Sequence, residues 1–247
     1  MNHALLLMLD IVPGRILNHL YIYLDIAFLC LFMGMLIYNK RYMTALFALA
    51  GGIIYFIVDY GIFYLLLRTR VVEGASYFWF LLWLSLSYGI TNFAWIWLWF
   101  RKDKHLLEWS LLIVMWWIAC PIIAMTFGGS FGEITIYRGT SIYHGVMAIL
   151  LFGGYLMLII MNMLKKDGRS KINLWWLLAI GVLVQFAWEA ALLVGGIRQG
   201  GIETLAVNSL LETNMGIPYL YLIYRAISKK RNEELAKVST PLDKITR

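Results

Sequence analysis

Acidic residues lie inside the long apolar segments of this chain, at matching places in its two halves. Asp59 ends the run Tyr-Phe-Ile-Val-Asp and precedes Arg68 by nine residues, and Glu189 ends Gln-Phe-Ala-Trp-Glu and precedes Arg198 by nine. A carboxyl group in a membrane helix is costly, so these residues predict a functional site. Burial and a second nearby carboxylate both favour the neutral acid, which can then donate a proton at neutral pH.

Two further acids, Asp25 and Glu212, lie a comparable distance into their own apolar segments. At the helical rise per residue, Asp59 comes roughly 13 Å below the boundary marked by Arg68. Polar and aromatic residues four positions from an acid share its helix face, so the sequence predicts one internal site. Its catalytic residues are Asp59, Glu189 and Glu212, and its substrate-binding residues are Asp25, Tyr55, Tyr88, Asn92, Trp95, Gln185, Trp188, Asn208 and Asn214.

An oily cavity with a proton donor, aromatic faces and a second carboxylate suits one kind of chemistry. The acid protonates an olefin or an epoxide, aromatic rings guide the carbocation by cation–π attraction, and the carboxylate removes a proton. The histidines show no metal-ligand spacing, and Cys30 and Cys120 both lie in apolar segments, so we expect no metal and no cofactor.

The composition places these acids in a membrane. Of 247 residues, 62% are hydrophobic and only 14% are charged, and the mean hydropathy is +0.74. A water-soluble domain carries about a quarter charged residues, so the chain is predicted to be a multi-pass protein of the cell membrane. Seven stretches are long enough to span it. They lie near 17–38, 43–67, 76–100, 106–127, 142–164, 173–194 and 203–227.

Basic loops set the expected orientation. Lys40-Arg41, the run 101–104, the run 165–171 and the tail 228–247 all fall on one side, which the positive-inside rule makes cytoplasmic. The N-terminus is then outside and the C-terminus inside. The net charge of +7 comes largely from these loops, which face anionic lipid, so membrane lipid is an expected partner and nucleic acid is not.

The matched acids also predict an internal repeat. Helices 1–3 (about 17–100) repeat as helices 5–7 (about 142–227), joined by a linker helix at about 106–127 within one transmembrane domain, 1–247. This all-α, seven-helix, 3+1+3 parallel arrangement would place Asp59 opposite Glu189 across a shared cavity. Pro218 predicts a kink in the last helix just beyond Glu212.

Short motifs resemble a known family. The acid of helix 2 followed by an arginine, Asn92-Phe-Ala-Trp95, Phe186-Ala-Trp-Glu189 and Glu212-Thr-Asn-Met-Gly-Ile-Pro-Tyr219 look like the small integral-membrane terpene cyclases of fungal meroterpenoid and indole-diterpene pathways and their bacterial relatives. The resemblance covers most of the chain. It implies metal-independent cyclisation of a lipophilic isoprenoid, with Asp59 and Glu212 at the positions of the family's two acids. That family commonly has Glu first and Asp second, and this chain has the reverse.

Within this interpretation Asp59 is the general acid, Glu212 is its carboxylate partner and Glu189 orients the pair. A proton-coupled transporter of SWEET-like 3+1+3 architecture is the main alternative, with Asp59 and Glu189 as titrating sites. A receptor, sensor or scaffold remains a third class, although the last helix carries no lysine for a retinal Schiff base. Arg68 and Arg198 are expected at the outer boundary, where they face water or hold a substrate head group.

Overall fold

Helices dominate the computed structural model, which describes residues 12–138, 143–165, 171–197 and 202–239. Within these ranges the chain forms eight α-helices and one three-stranded sheet. In chain order the elements are β1 (Val12–Asn18), α1 (His19–Tyr38), α2 (Tyr42–Phe56), a π-helical segment (Ile57–Leu66), β2 (Arg70–Glu73), α3 (Tyr77–Arg101), α4 (Leu106–Phe127), β3 (Glu133–Arg138), α5 (His144–Met163), α6 (Leu174–Val194), α7 (Ile202–Leu211) and α8 (Ile217–Ser239).

Six helical stretches in the described ranges are long and apolar enough to cross a membrane, and they match the first six predicted spans to within a few residues. Large side chains on their outer faces are uncovered, including Leu31, Ile149 and Phe152. A soluble protein rarely exposes so much contiguous apolar surface, so these faces indicate a multi-pass membrane protein. The central helix is α3, whose apolar window is 83% buried, against 17–50% for the other five stretches.

The seventh predicted span differs from expectation. Residues 203–227 do not form one kinked helix, because α7 ends at Leu211 and α8 begins at Ile217. The residues between them, 212–216, form turns that include Glu212. Pro218 lies at the start of α8, where its missing N–H costs no helical hydrogen bond. The helix is therefore interrupted at the polar patch itself, one turn before the proline that predicted the kink.

The helices agree with the predicted all-α membrane protein, but the small sheet was not expected from the sequence. β1 precedes α1, whereas β2 and β3 lie in connections between helices, and the strands pair antiparallel in the order β1-β3-β2. Leu17 lies opposite Ile134, and Val72 lies opposite Ile136, all four buried on the face toward the helices. Strands of four to seven residues separated by dozens of positions leave little local signal, and pairing occurs only because three helix ends meet.

The sheet and the basic loops lie at opposite ends of the bundle. The strands precede or follow helix ends at one end, whereas the connections 39–41 and 102–105 meet at the other. There Arg41 Nε lies 2.6 Å from Asp103 Oδ2. Burial alone would raise the pKa of Asp103, but the His105 backbone N–H and the Arg41 guanidinium lower it below its ordinary value.

Glycines let α2 and α3 pack backbone to backbone. A Cβ atom on Gly89 would overlap the backbone of Gly52, and one on Gly51 would overlap the Phe93 ring. Small residues of this kind allow close approach of membrane helices. The contact matters for the site because it fixes α3 against the helix that continues into the π-helical segment.

We expect Gly89→Ala to lower the melting temperature of the detergent-solubilised protein. The added methyl has no space, and overpacking typically costs roughly 1–3 kcal/mol. Gly34→Ala is the matched control, because no atom lies within 4 Å of the Cβ that it would add. Equal melting temperatures for the two variants would show that the α2–α3 contact does not depend on Gly89.

Candidate functional site

Asp59 lies in the π-helical segment that continues α2, and its side chain is buried at 8% exposure. Its Oδ1 accepts a hydrogen bond from Arg70 Nε at 2.7 Å and lies 3.5 Å from Arg138 Nη2. π-Helical turns are uncommon and often occur at functional sites. Because two guanidinium groups contact one carboxylate, Asp59 is part of a buried ion-pair cluster rather than an isolated acid.

Arginines reach this cluster from the sheet. Arg70 on β2 is directly opposite Arg138 on β3. Arg15 on β1 is opposite Ile136 on β3. Residues two apart on a strand share a face, so each strand directs one arginine toward the helices. The sequence pattern predicted none of these three and placed Arg68 and Arg198 at the outer boundary instead. The available signal was the period-two alternation of Ile134-Thr-Ile136-Tyr-Arg138.

The two arginines that contact Asp59 have shifted pKa values in opposite directions. Burial of Arg70, together with the neighbouring charge of Arg138, lowers the pKa of Arg70 to about 10 although Asp59 raises it. Burial also disfavours the charged form of Arg138, but neighbouring negative charge, chiefly the Asp59 carboxylate, outweighs it and raises the pKa of Arg138. Both guanidinium groups are therefore charged at neutral pH.

A second part of the site is organised by Gln185 on α6, which is fully buried. Its amide nitrogen donates to Glu212 Oε2 at 2.7 Å and to Glu189 Oε1 at 3.3 Å. Asn208 on α7 also donates to Glu189 Oε1, at 3.2 Å. One amide group thus links the carboxyl groups of Glu189 and Glu212.

Tyr88 on α3 connects this amide to the first half. Its hydroxyl and that of Thr213 both donate to Gln185 Oε1. These two donors fix the Gln185 amide so that its nitrogen faces the carboxyl groups. The Tyr88 ring packs edge-on against Tyr55, with centroids 4.7 Å apart, and against Trp188, with centroids 5.2 Å apart. Thr213 is a site residue that the sequence analysis did not identify.

The two parts enclose a cavity of about 100 Å³ beneath the sheet. Its lining combines charged groups, hydroxyls, aromatic rings and apolar side chains. The lining residues are Arg15, Tyr55, Val58, Asp59, Phe63, Leu84, Ser85, Arg70, Tyr88, Arg138, Met147, Trp188, Glu212 and Met215. Glu189, Gln185 and Asn208 form the layer of hydrogen bonds behind Glu212.

Four of the expected site residues lie elsewhere. Asp25 sits between α1, α3 and α4, where its two carboxylate oxygens accept hydrogen bonds from the indoles of Trp83 and Trp116 at 3.0 and 3.2 Å. Asn92 donates to the Tyr88 carbonyl within its own helix. Only three of the four acids therefore converge, because Asp25 faces a different pair of neighbouring helices.

Trp95 and Asn214 are also outside the cavity. The Trp95 ring is separated from Trp188 by Trp117, and its indole donates to Ser110 Oγ at 2.7 Å. Asn214 accepts a hydrogen bond from the Tyr155 hydroxyl at 2.8 Å and packs against Gly181. Both residues support the helices that carry the site rather than lining it.

Arg68 and Arg198, the two arginines expected at the outer boundary, have to be considered separately. Arg68 is exposed and has a left-handed backbone, with φ of 55°, in the connection before β2. It does not line the cavity, whose arginines are Arg15, Arg70 and Arg138. Arg198 lies outside the described residues. Among the residues that the structure does describe, no three His, Cys, Asp or Glu side chains are grouped to hold a metal ion.

Comparisons of the chain with protein-family models, with curated proteins and with solved structures return no match. Function is therefore inferred from the geometry of the site and from the sequence motifs.

We expect Arg70→Gln to destabilise the protein strongly, because removing one partner of a buried ion pair typically costs about 3–5 kcal/mol. The double variant Arg70→Gln/Asp59→Asn should recover part of the lost stability, since it removes the charge that Arg70 compensated, while Arg138 loses its contact with Asp59. Thermal unfolding in detergent measures both, and Arg68→Gln is the control at an exposed arginine two positions away. A double variant no more stable than Arg70→Gln alone would contradict a direct Arg70–Asp59 interaction.

Proposed function

We propose that this chain is an integral-membrane cyclase that closes an isoprenoid substrate by protonating an olefin or an epoxide, without a metal ion. One observation carries the proposal: two carboxyl groups, Asp59 and Glu212, line the same small cavity as the aromatic rings of Tyr55, Tyr88 and Trp188. Protonation-initiated cyclisation needs an acid, a proton acceptor and aromatic faces within one site. The resemblance to membrane terpene cyclases supports the same reaction class.

The geometry favours a division of roles different from the one that the sequence predicted. A carboxylate held by two guanidinium groups has no proton to donate, so Asp59 is a poor general acid. We assign the proton donor to Glu212, whose Oε2 is positioned by the Gln185 amide. Asp59 then stabilises the carbocation and accepts the proton at the end. Glu189 orients the pair through Gln185, as the sequence analysis expected.

The proposed reaction conserves atoms and charge. Glu212 transfers a proton to an alkene carbon or to an epoxide oxygen, which breaks the π bond or the C–O bond and leaves a tertiary carbocation. A second double bond of the substrate attacks this cation and closes a ring. Loss of a proton to the Asp59 carboxylate forms the product alkene, and Tyr88 and Trp188 offer their faces to the positive charge. Asp59 then releases that proton to water and Glu212 takes one up, which restores the starting protonation states.

The membrane orientation belongs to this proposal. An outside N-terminus and a cytoplasmic C-terminus are supported by the grouping of the basic connections 39–41 and 102–105 at the end opposite the sheet. The site then lies in the outer half of the membrane beneath an external sheet. The 3+1+3 repeat stays a prediction. It is tested by superposing the first three predicted spans on the fifth to seventh and asking whether Asp59 falls on Glu189.

A proton-coupled transporter is the second candidate, and the interrupted helix favours it. α7 and α8 are separated by turns at residues 212–216, beside the cavity. Discontinuous helices commonly form substrate and ion sites in secondary transporters. The two functions differ in what the protein does to its ligand, because a cyclase changes the ligand's structure and a transporter changes only its side of the membrane.

We expect Glu212→Gln to reduce cyclisation by roughly 10²–10⁴-fold, the usual contribution of a general acid, without unfolding the protein. Membranes containing each variant are incubated with linear prenyl and epoxyprenyl acceptors, and products of unchanged mass and shorter retention are measured. Glu108→Gln is the matched control, because Glu108 is an exposed carboxyl at the start of α4, remote from the cavity.

Two outcomes would count against this assignment. Full turnover in Glu212→Gln combined with none in Asp59→Asn would return the donor role to Asp59. No cyclised product from any substrate, together with substrate-dependent proton flux in proteoliposomes that disappears in Asp59→Asn, would replace the cyclase with the transporter.

A further inference from the structure

We infer that the cavity under the sheet binds the anionic head group, a phosphate or a carboxylate, of an isoprenoid, through Arg70 and Arg138. The inference rests on the proposed function, since it names the class of isoprenoid that this site takes. Nothing in the chemistry of protonating an olefin or an epoxide requires an anionic substrate, so the arginines add a separate restriction on the ligand.

Unsatisfied donors in the arginine cluster are the first support. Arg70 is 3% exposed, and its guanidinium donates from Nε to Asp59 and from Nη1 to the carbonyl and hydroxyl of Thr69. Its Nη2 is buried without a hydrogen-bond partner among the described residues, as is Nε of Arg138. Leaving a charged donor unpaired in a buried site is unfavourable. Because both residues line the cavity, an acceptor entering it can satisfy them.

The charge of the lining is the second support. Arg15, Arg70 and Arg138 face Asp59 and Glu212, so three potential positive charges meet two potential negative charges. Donation of a proton requires Glu212 to be neutral in the resting state, which leaves a still larger positive excess. A planar guanidinium binds phosphate and carboxylate oxygens in forked geometry, which a neutral alcohol or alkene cannot reproduce.

The size of the cavity is the third support. A volume of about 100 Å³ lies well below the roughly 300–1,000 Å³ of pockets that hold a whole drug-sized ligand, so it suits a head group and not a whole isoprenoid chain. The chain can leave past Val58, Phe63, Met147 and Met215, the apolar part of the lining. Methionine side chains adapt to irregular apolar ligands. The double bond that contacts Glu212 is then either close to the head group or brought back to the cavity when the isoprenoid folds on itself.

Binding of matched probes to the purified full-length protein in phosphatidylcholine nanodiscs tests the inference. Isothermal titration compares geranyl monophosphate and geranic acid, which carry head and chain, with geraniol, which lacks the charge, and with inorganic phosphate, which lacks the chain. We expect both anionic prenyl probes to bind at least about tenfold more tightly than geraniol, as one charge-assisted hydrogen bond provides. Inorganic phosphate should bind more weakly than geranyl monophosphate.

The informative variant is Arg70→Gln/Asp59→Asn, which removes one positive and one negative charge and keeps the net charge of the cavity. It should weaken the preference for anionic probes, because only Arg138 remains of the two head-group arginines, whereas Arg68→Gln should bind them as the wild type does. Geraniol binding as tightly as geranyl monophosphate, or an unchanged preference in the double variant, would overturn the inference. Loss of geranyl monophosphate binding when phosphatidic acid replaces part of the nanodisc lipid would overturn it too, by assigning the site to a lipid head group.

The two proposals fail in different ways. Anion preference without any cyclised product would refute the cyclase and leave the head-group site standing. Cyclisation of neutral prenyl acceptors by a protein that shows no anion preference would support the cyclase and refute the head-group site.

Discussion

The buried carboxylate of Asp59 has to be compensated, and the compensation comes from outside the transmembrane helices. Arg70 and Arg138 reach Asp59 from β2 and β3, so its ion pairs attach the sheet to the π-helical segment. A buried pair of this kind adds little net stability over an apolar core, but breaking it is expensive. It therefore acts mainly as a constraint, which holds the sheet in one position over the cavity and keeps charged groups in an otherwise apolar protein.

Gln185 provides the corresponding constraint in the second half of the chain. A single amide contacts Glu189, Glu212, Tyr88 and Thr213, which belong to α6, α3 and the α7–α8 connection. Because the Tyr88 and Thr213 donors orient the amide oxygen, the amide nitrogen is directed to the carboxyl groups. Hydrogen bonds from an uncharged amide therefore position Glu212 on one side of the cavity, whereas ion pairs position Asp59 on the other. Two carboxyl groups in such different environments can take different roles.

The irregular backbone is concentrated where the polar groups are. Asp59 lies in a π-helical segment, and Glu212 lies in the turns between α7 and α8. Regular helices satisfy their own backbone groups and project side chains at fixed spacing, whereas interruptions are tolerated at membrane depth where they line a protein cavity. The two departures from regular helix therefore belong to the site. The apolar helices around them, of which α3 is the most buried, support the site.

The sequence by itself determined the membrane character and the first six spans, and it predicted three of the acids that come together around the cavity, because apolar length and helical spacing are local properties. The four-residue spacing of Gln185 and Glu189 produces a hydrogen bond for the same reason. Only the tertiary structure decided that Asp25 lies apart from the other acids, that the seventh span is interrupted and that a sheet exists. The tertiary structure also decided that Asp59 pairs with Arg70 and Arg138, which are 11 and 79 residues away in the sequence. Strand pairing and ion pairs over such separations depend on which helix ends meet, and no local pattern encodes that.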